Sequence, residues 1–125
     1  MKQARTGLNI LVVEDESLIL MLLQGMLLEI GHTCAFTASR VETARELAEH
    51  AAYDLAILDV NLKGEATYAI AEIAAARGLP FIFATGYGVQ GIDEAFQDIP
   101  ILQKPFDASA LRGAIETAMD KAALE

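Results

Sequence analysis

Residues 9–16, Asn-Ile-Leu-Val-Val-Glu-Asp-Glu, form an apolar run that stops at three consecutive acids. Such a run, almost wholly apolar, is what a strand covered on both faces requires. Similar short runs recur at Cys34–Ala38, Leu55–Leu58, Pro80–Ala84 and Ile101–Gln103. Between them lie helix-like segments at Ser17–Ile30, Arg40–His50, Thr67–Arg77, a weak one near Ile92–Phe96, and Ala108–Leu124. Strands alternating with helices in a chain this short imply an α/β fold with a parallel sheet wound by right-handed crossovers. Gly31, Gly78 and Pro80 sit where helices should stop, and Ser39 and Asp107 where they should start. Gly86, Gly88 and Gly91 crowd the segment after the fourth strand, so the fourth helix should be short, late or irregular.

The chain has 125 residues, 54% of them hydrophobic, which is enough for one core and one domain. Nine Lys and Arg against 18 Asp and Glu leave a net charge of -9. That surface repels phosphate backbones and anionic lipid, which argues against nucleic-acid and membrane-surface binding. The single Cys34 excludes an internal disulfide framework and a Cys-based zinc site, and reads as a small strand hydrophobe. No signal-peptide pattern is present, and the apolar stretch Leu18–Ile30 falls short of the roughly 20 residues that span a bilayer. A cytoplasmic location is expected. His32 and His50, near helix ends without paired spacing, read as surface or capping residues.

The first helix is unusually apolar. At 100° per residue, Ile19, Leu22, Leu23, Met26 and Ile30 share one arc and should face the core. Leu18, Leu20, Met21 and Leu28 then fall largely outside it. They belong either to a wide buried face or to a docking surface for a partner helix or a second copy.

In an open parallel sheet, function collects at the carboxyl ends of the strands. The first strand ends in Glu14-Asp15-Glu16, the third in Asp59, the fourth in Thr85 and the fifth in Lys104. If the first and third strands are neighbours, Glu14, Asp15 and Asp59 share a small volume, where like charges raise one another's pKa or demand a cation. Mg²⁺ suits such a set, because it takes few protein oxygens and keeps its waters. A carboxylate beside Mg²⁺, with a hydroxyl and an ammonium nearby, suits phosphoryl transfer. Asp59 would attack phosphorus, and Lys104 and Thr85 would bind the equatorial oxygens.

Val-Val-Glu-Asp-Glu, Leu-Asp-Val-Asn-Leu, Ala-Thr-Gly and Lys-Pro-Phe, in this order and spacing, resemble the receiver domain of two-component response regulators. The likeness runs from about Leu8 to Leu124, with residues 1–7 read as a tail and 8–125 as the domain. It implies a flavodoxin-like, doubly wound sheet of order 2-1-3-4-5. It implies that Asp59 accepts the phosphoryl group and that Glu14, Asp15, Asp59 and the Asn61 backbone carbonyl hold Mg²⁺. Thr85 becomes the switch hydroxyl and Lys104 its ammonium partner, with a commonly cis Lys104–Pro105 bond. The module so implied is a phospho-acceptor and not a turnover enzyme.

Departures from the pattern narrow this reading. Ile101 stands where receivers usually carry a fifth-strand aromatic, and Phe83-Ala84-Thr85-Gly86-Tyr87 resembles the Phe-Ala-Thr-Gly subgroup that lacks it. The Gly86–Gly91 segment with Tyr87 is then expected to be the bistable element. Lys63 replaces a frequent Pro, so the loop after Asp59 is expected to be less rigid. With no effector domain after the fifth helix, the expectation is a stand-alone regulator. Its donor would be a histidine kinase of the HWE or a related type, or a phosphotransfer protein. Its output would be protein binding, relay or phosphate drainage. A flavodoxin-type binder would need a phosphate-cradling loop after the first strand, where Glu14-Asp15-Glu16 repels phosphate. A phosphatase with its nucleophile there would carry a DxD pattern, which is absent. A docking-only degenerate receiver would lack the acceptor and metal set.

Overall fold

The computed structural model describes residues 4–86 and 92–124. The elements run β1 (Asn9–Val13), α1 (Ser17–Glu29), β2 (Thr33–Ala38), α2 (Val41–His50), β3 (Leu55–Asp59), β4 (Asn61–Leu62) and β5 (Glu65–Ala66). They continue with α3 (Tyr68–Ala76), β6 (Phe81–Thr85), a 3-10 turn at Glu94–Phe96, β7 (Ile101–Gln103) and α4 (Ala108–Ala123). The main sheet has the order β2-β1-β3-β6-β7 with every pair parallel. With the small β4-β5 hairpin set aside, this is the expected order 2-1-3-4-5.

Alternation along the strands splits the core into two layers. Leu11, Val13, Ala56, Leu58, Phe81 and Phe83 pack with α2 and α3, while Ile10, Val12, Leu55, Ile57, Ile82 and Ala84 pack with α1 and α4. All five residues of β3 and of β6 are buried, which explains their lack of polar alternation in the sequence. The fourth helix is reduced to the 3-10 turn, started by Asp93, whose carboxylate accepts the Ala95 amide proton at 3.0 Å. Tyr68 stacks on Phe96 with ring centroids 5.3 Å apart and meets Phe83 edge-on at 5.9 Å.

Two expectations are corrected. In α1 the buried residues are Leu23 and Leu27, with Ile30 buried just after the helix and Ile19, Leu20 and Met26 half-buried against the same layer. Leu22, expected inside, is 53% exposed, and Leu20, expected outside, packs inward. The buried arc is centred on Leu23, and Leu22 lies about 100° around the axis from it. Leu18, Met21 and Leu28 are exposed as expected.

His32 is the second correction: it is buried, and its Nδ1 accepts the Leu8 amide proton at 3.2 Å. Burial pushes its pKa down, which keeps that lone pair available. The bond belongs to a strap in which Gly7 N–H donates to the Gly31 carbonyl at 2.7 Å. Arg5 in the same strap pairs with Glu116 and Asp120 of α4 at 2.6 and 2.9 Å. Gly31 has φ +92°, and a Cβ there would meet Thr6 Cγ2 at 2.8 Å, so only glycine fits. Among the described residues, no helix is long and apolar enough to cross a membrane.

Candidate functional site

Parallel strands deliver their carboxyl ends to one edge, so residues far apart in the chain meet there. The β1–β3 register ends at the pair Val13–Leu58, which sets Glu14 and Asp59 just beyond it. Thr85 pairs in register with Gln103, which brings Lys104 to the same edge. Asp15, Asp59, Asn61, Thr85 and Lys104 line a cleft of about 610 Å³. The Lys104–Pro105 peptide is cis, as the resemblance implied.

Glu14 is 2% exposed and Asp59 8%, and both face one ammonium. Lys104 Nζ donates to Glu14 Oε1 at 2.8 Å and to Asp59 Oδ2 at 3.3 Å. The remaining oxygens accept backbone protons, Glu14 Oε2 from Glu16 at 3.1 Å and Asp59 Oδ1 from Asn61 at 3.3 Å. Burial, and then the charge of Glu14, push the Asp59 carboxyl up to about 6 against the pull of Lys104. Burial alone would lower Lys104, but the hydrogen bond to Glu14 and the charges of Asp59 and Glu14 outweigh it and leave it raised.

A pH dependence follows from the raised Asp59. Between the ordinary aspartate value of 3.8 and about 6, the folded state binds more protons than the unfolded one. Stability contributed by this group is therefore present below that window and lost as pH rises through it. Urea midpoints of metal-free protein should fall from pH 4.5 to 7, and the fall should be shallower in Asp59→Asn. Parallel curves for the two proteins would contradict the assignment.

The chain after Asp59 forms a hairpin that the sequence did not announce. Asn61 pairs with Ala66 and Leu62 with Glu65, around a two-residue turn at Lys63 (φ 51°) and Gly64 (φ 88°). Two left-handed residues are what a tight hairpin turn requires. The turn is tied at both ends, because Gly64 N–H donates to Asn61 Oδ1 at 2.9 Å and Lys63 N–H to Asp15 Oδ2 at 3.2 Å. The segment after Asp59, with Lys63 in its turn, is thus a paired hairpin anchored on Asp15.

Thr67 was missed as a site residue. It is fully buried, and its hydroxyl donates to the Asp59 carbonyl at 2.6 Å. A short polar residue at a helix start reads as a cap, so its sequence carries no other signal. Ile101 packs half-buried against the α2–α3 layer. Tyr87, and the rest of the proposed bistable segment apart from Gly86, lie outside the described residues.

One oxygen from each of Glu14, Asp15 and Asp59 lies within 4.8 Å of the others. Three carboxylates against the Lys104 ammonium leave two negative charges at this point, and all the donors are hard oxygens. The set fits a hard divalent ion such as Mg²⁺.

The model of the response regulator receiver domain matches residues 10–116. No curated protein sequence matched the chain. Among solved structures, SdrG from Sphingomonas melonis Fr1 is 41% identical with a TM-score of 0.83, over 90% of this chain and 97% of that one. The receiver domain of the response regulator PhyR from Erythrobacter litoralis is 28% identical with a TM-score of 0.79, over 92% of each chain. The signal receiver domain of a modulated diguanylate cyclase from Desulfovibrio desulfuricans G20 is 29% identical with a TM-score of 0.79, over 94% of this chain and 98% of that one. Receiver domains are phospho-acceptor modules of two-component phosphorelay signalling and bind Mg²⁺ at an acidic pocket. By its sequence match, its sheet order and the carboxylate pocket at the strand ends, this chain belongs to the response regulator receiver domain family.

Proposed function

We propose that Asp59 accepts a phosphoryl group from a phosphohistidine of a histidine kinase, of HWE or related type, or of a phosphotransfer protein, and that the acyl phosphate switches partner binding. The observation that carries this reading is the Lys104 ammonium shared by Glu14 and Asp59 in a pocket of three carboxylates. An Asp59 oxygen attacks phosphorus, an O–P bond forms, and the P–N bond to the donor imidazole breaks with its electron pair staying on nitrogen. Lys104 faces the attacking carboxylate and neutralises charge that spreads over the phosphoryl oxygens. Thr85, buried at the end of β6, supplies the hydroxyl for one of those oxygens. Glu14, Asp15, Asp59 and the Asn61 carbonyl would hold Mg²⁺. Mg²⁺ there supplies positive charge against the repulsion between two anions.

The test is incubation with Mg²⁺ and acetyl phosphate, followed by intact mass. A labile phosphoryl gain is expected in wild type. It should vanish when Mg²⁺ is chelated and in Asp59→Ala. Equal labelling of the alanine protein would overturn the site.

The donor is proposed to dock on the exposed apolar face of α1, made by Leu18, Met21, Leu22 and Leu28, with Leu20 contributing from its half-buried edge. This helix starts directly after Glu16, so its first turn stands next to the cleft. The double change Met21→Glu with Leu22→Glu should leave the unfolding midpoint and acetyl phosphate labelling intact. Transfer from a phosphorylated kinase, or self-association, should fall about tenfold, as for loss of an apolar anchor. Unchanged transfer and unchanged mass in solution would remove this face as the docking surface.

A further inference from the structure

We infer that Thr67 is the positioning residue of the acceptor, holding the backbone of Asp59 through its hydroxyl and that of Val60 through its amide. The inference rests on the reading of Asp59 as phospho-acceptor.

The sheet runs out at this residue. Pairing of β3 with β1 ends at Leu58 and pairing with β6 ends at Asp59. A buried carbonyl at such an end must find a donor outside the ladder. The Thr67 hydroxyl is that donor, at 2.6 Å, and its second contact, to the Val60 carbonyl, is longer at 3.3 Å. The Thr67 amide takes the Val60 carbonyl at 3.0 Å. Residues 60–67 are thereby a closed loop pinned at its base, with the β4-β5 hairpin above the pin.

This is not the ordinary use of a threonine at that place. Thr67 occupies the N-cap position of α3, yet its side chain makes no capping bond to the helix. The hydroxyl is turned back to β3 instead. Two groups of the proposed chemistry hang from the pinned backbone, the Asp59 carboxylate and the Asn61 carbonyl two residues on. Both must meet Glu14 and Asp15, which directly follow β1. A pin at Asp59 and Val60 therefore sets the register between the two halves of the site, and small displacements of a reacting group cost rate steeply.

The experiment compares Thr67→Val, which keeps the shape and removes the donor, with Thr67→Ser, which keeps the donor. Ala118→Gly in α4 reports on lost stability at the opposite edge of the sheet. Three quantities are read for each full-length protein: the unfolding midpoint, Mg²⁺ affinity by NMR titration, and the initial rate of phosphorylation by acetyl phosphate. Thr67→Val is expected to weaken Mg²⁺ binding and slow phosphorylation by about tenfold each, the usual effect of losing an orienting hydrogen bond. Thr67→Ser should restore both to within about twofold, and Ala118→Gly should lower the midpoint alone. If Thr67→Val does not fold, Thr67→Ala takes its place. A folded donor-less variant with wild-type affinity and rate would overturn the inference, as would a serine variant as impaired as the valine one. Wild type that takes no phosphoryl group would remove the functional reading, whereas the Mg²⁺ titration still decides the role of Thr67.

Discussion

Asp59→Asn should be more stable than wild type at pH 7.5 in the absence of metal, and should take up no phosphoryl group. At that pH the wild-type carboxyl, whose pKa is pushed up to about 6 when folded, above the ordinary aspartate value, is ionised in both the folded and the unfolded state. Burying this charge beside Glu14 costs folding roughly 2–3 kcal/mol. An amide keeps the shape and still accepts the Asn61 amide proton, but carries no charge. The gain should appear as a higher urea midpoint at unchanged slope. Mg²⁺ should stabilise wild type and raise the asparagine protein far less, because a ligand that binds only the folded state stabilises in proportion to its affinity. An asparagine protein less stable than wild type without metal would show that the Asp59–Lys104 contact outweighs the crowding.

Lys104→Ala should have the opposite sign. Glu14, with its side chain 1% exposed, loses its charged partner, and Asp59 loses the donor to Oδ2. Removing one member of a buried ion pair leaves an uncompensated charge, and a loss of about 3 kcal/mol is expected without metal. Mg²⁺ should recover part of it. Lys104 also lowers the Asp59 pKa, so its removal moves that pKa further up, and the pH–rate curve for acetyl phosphate should shift to higher pH. Any residual phosphorylation should fail to shift the NMR signals of Thr85 and Gly86, because the ammonium that would hold the phosphoryl oxygen is gone. A variant with wild-type stability and an unshifted pH profile would remove Lys104 from the site.

Much of the pocket is legible in the sequence, and the reason is geometric. Glu14, Asp59, Thr85 and Lys104 each end an apolar run, and a parallel sheet turns that position in the run into one position in space. Residues whose partners depend on loop or helix phase were not legible. In α1 most residues are apolar, so no polar stripe fixes its rotation, and Leu22 and Leu20 exchanged roles. His32 found its partner in a backbone amide 24 residues away, which no spacing rule records. The strands around Lys63 and Gly64 are two residues long, too short for any periodicity. Thr67 opens a helix-like segment, where threonine usually serves as a cap, and only the direction of its hydroxyl reveals the bond to Asp59.

The central claim is that the Asp59 carboxylate itself becomes the acyl phosphate. Borohydride reduces an acyl phosphate to an alcohol, which converts a phosphorylated aspartate to homoserine and leaves ordinary carboxylates untouched. Peptide mapping after treatment with Mg²⁺, acetyl phosphate and borohydride should find homoserine at position 59 alone. Homoserine at position 15, or phosphate retained on His32 or His50 with an unmodified Asp59, would contradict the account.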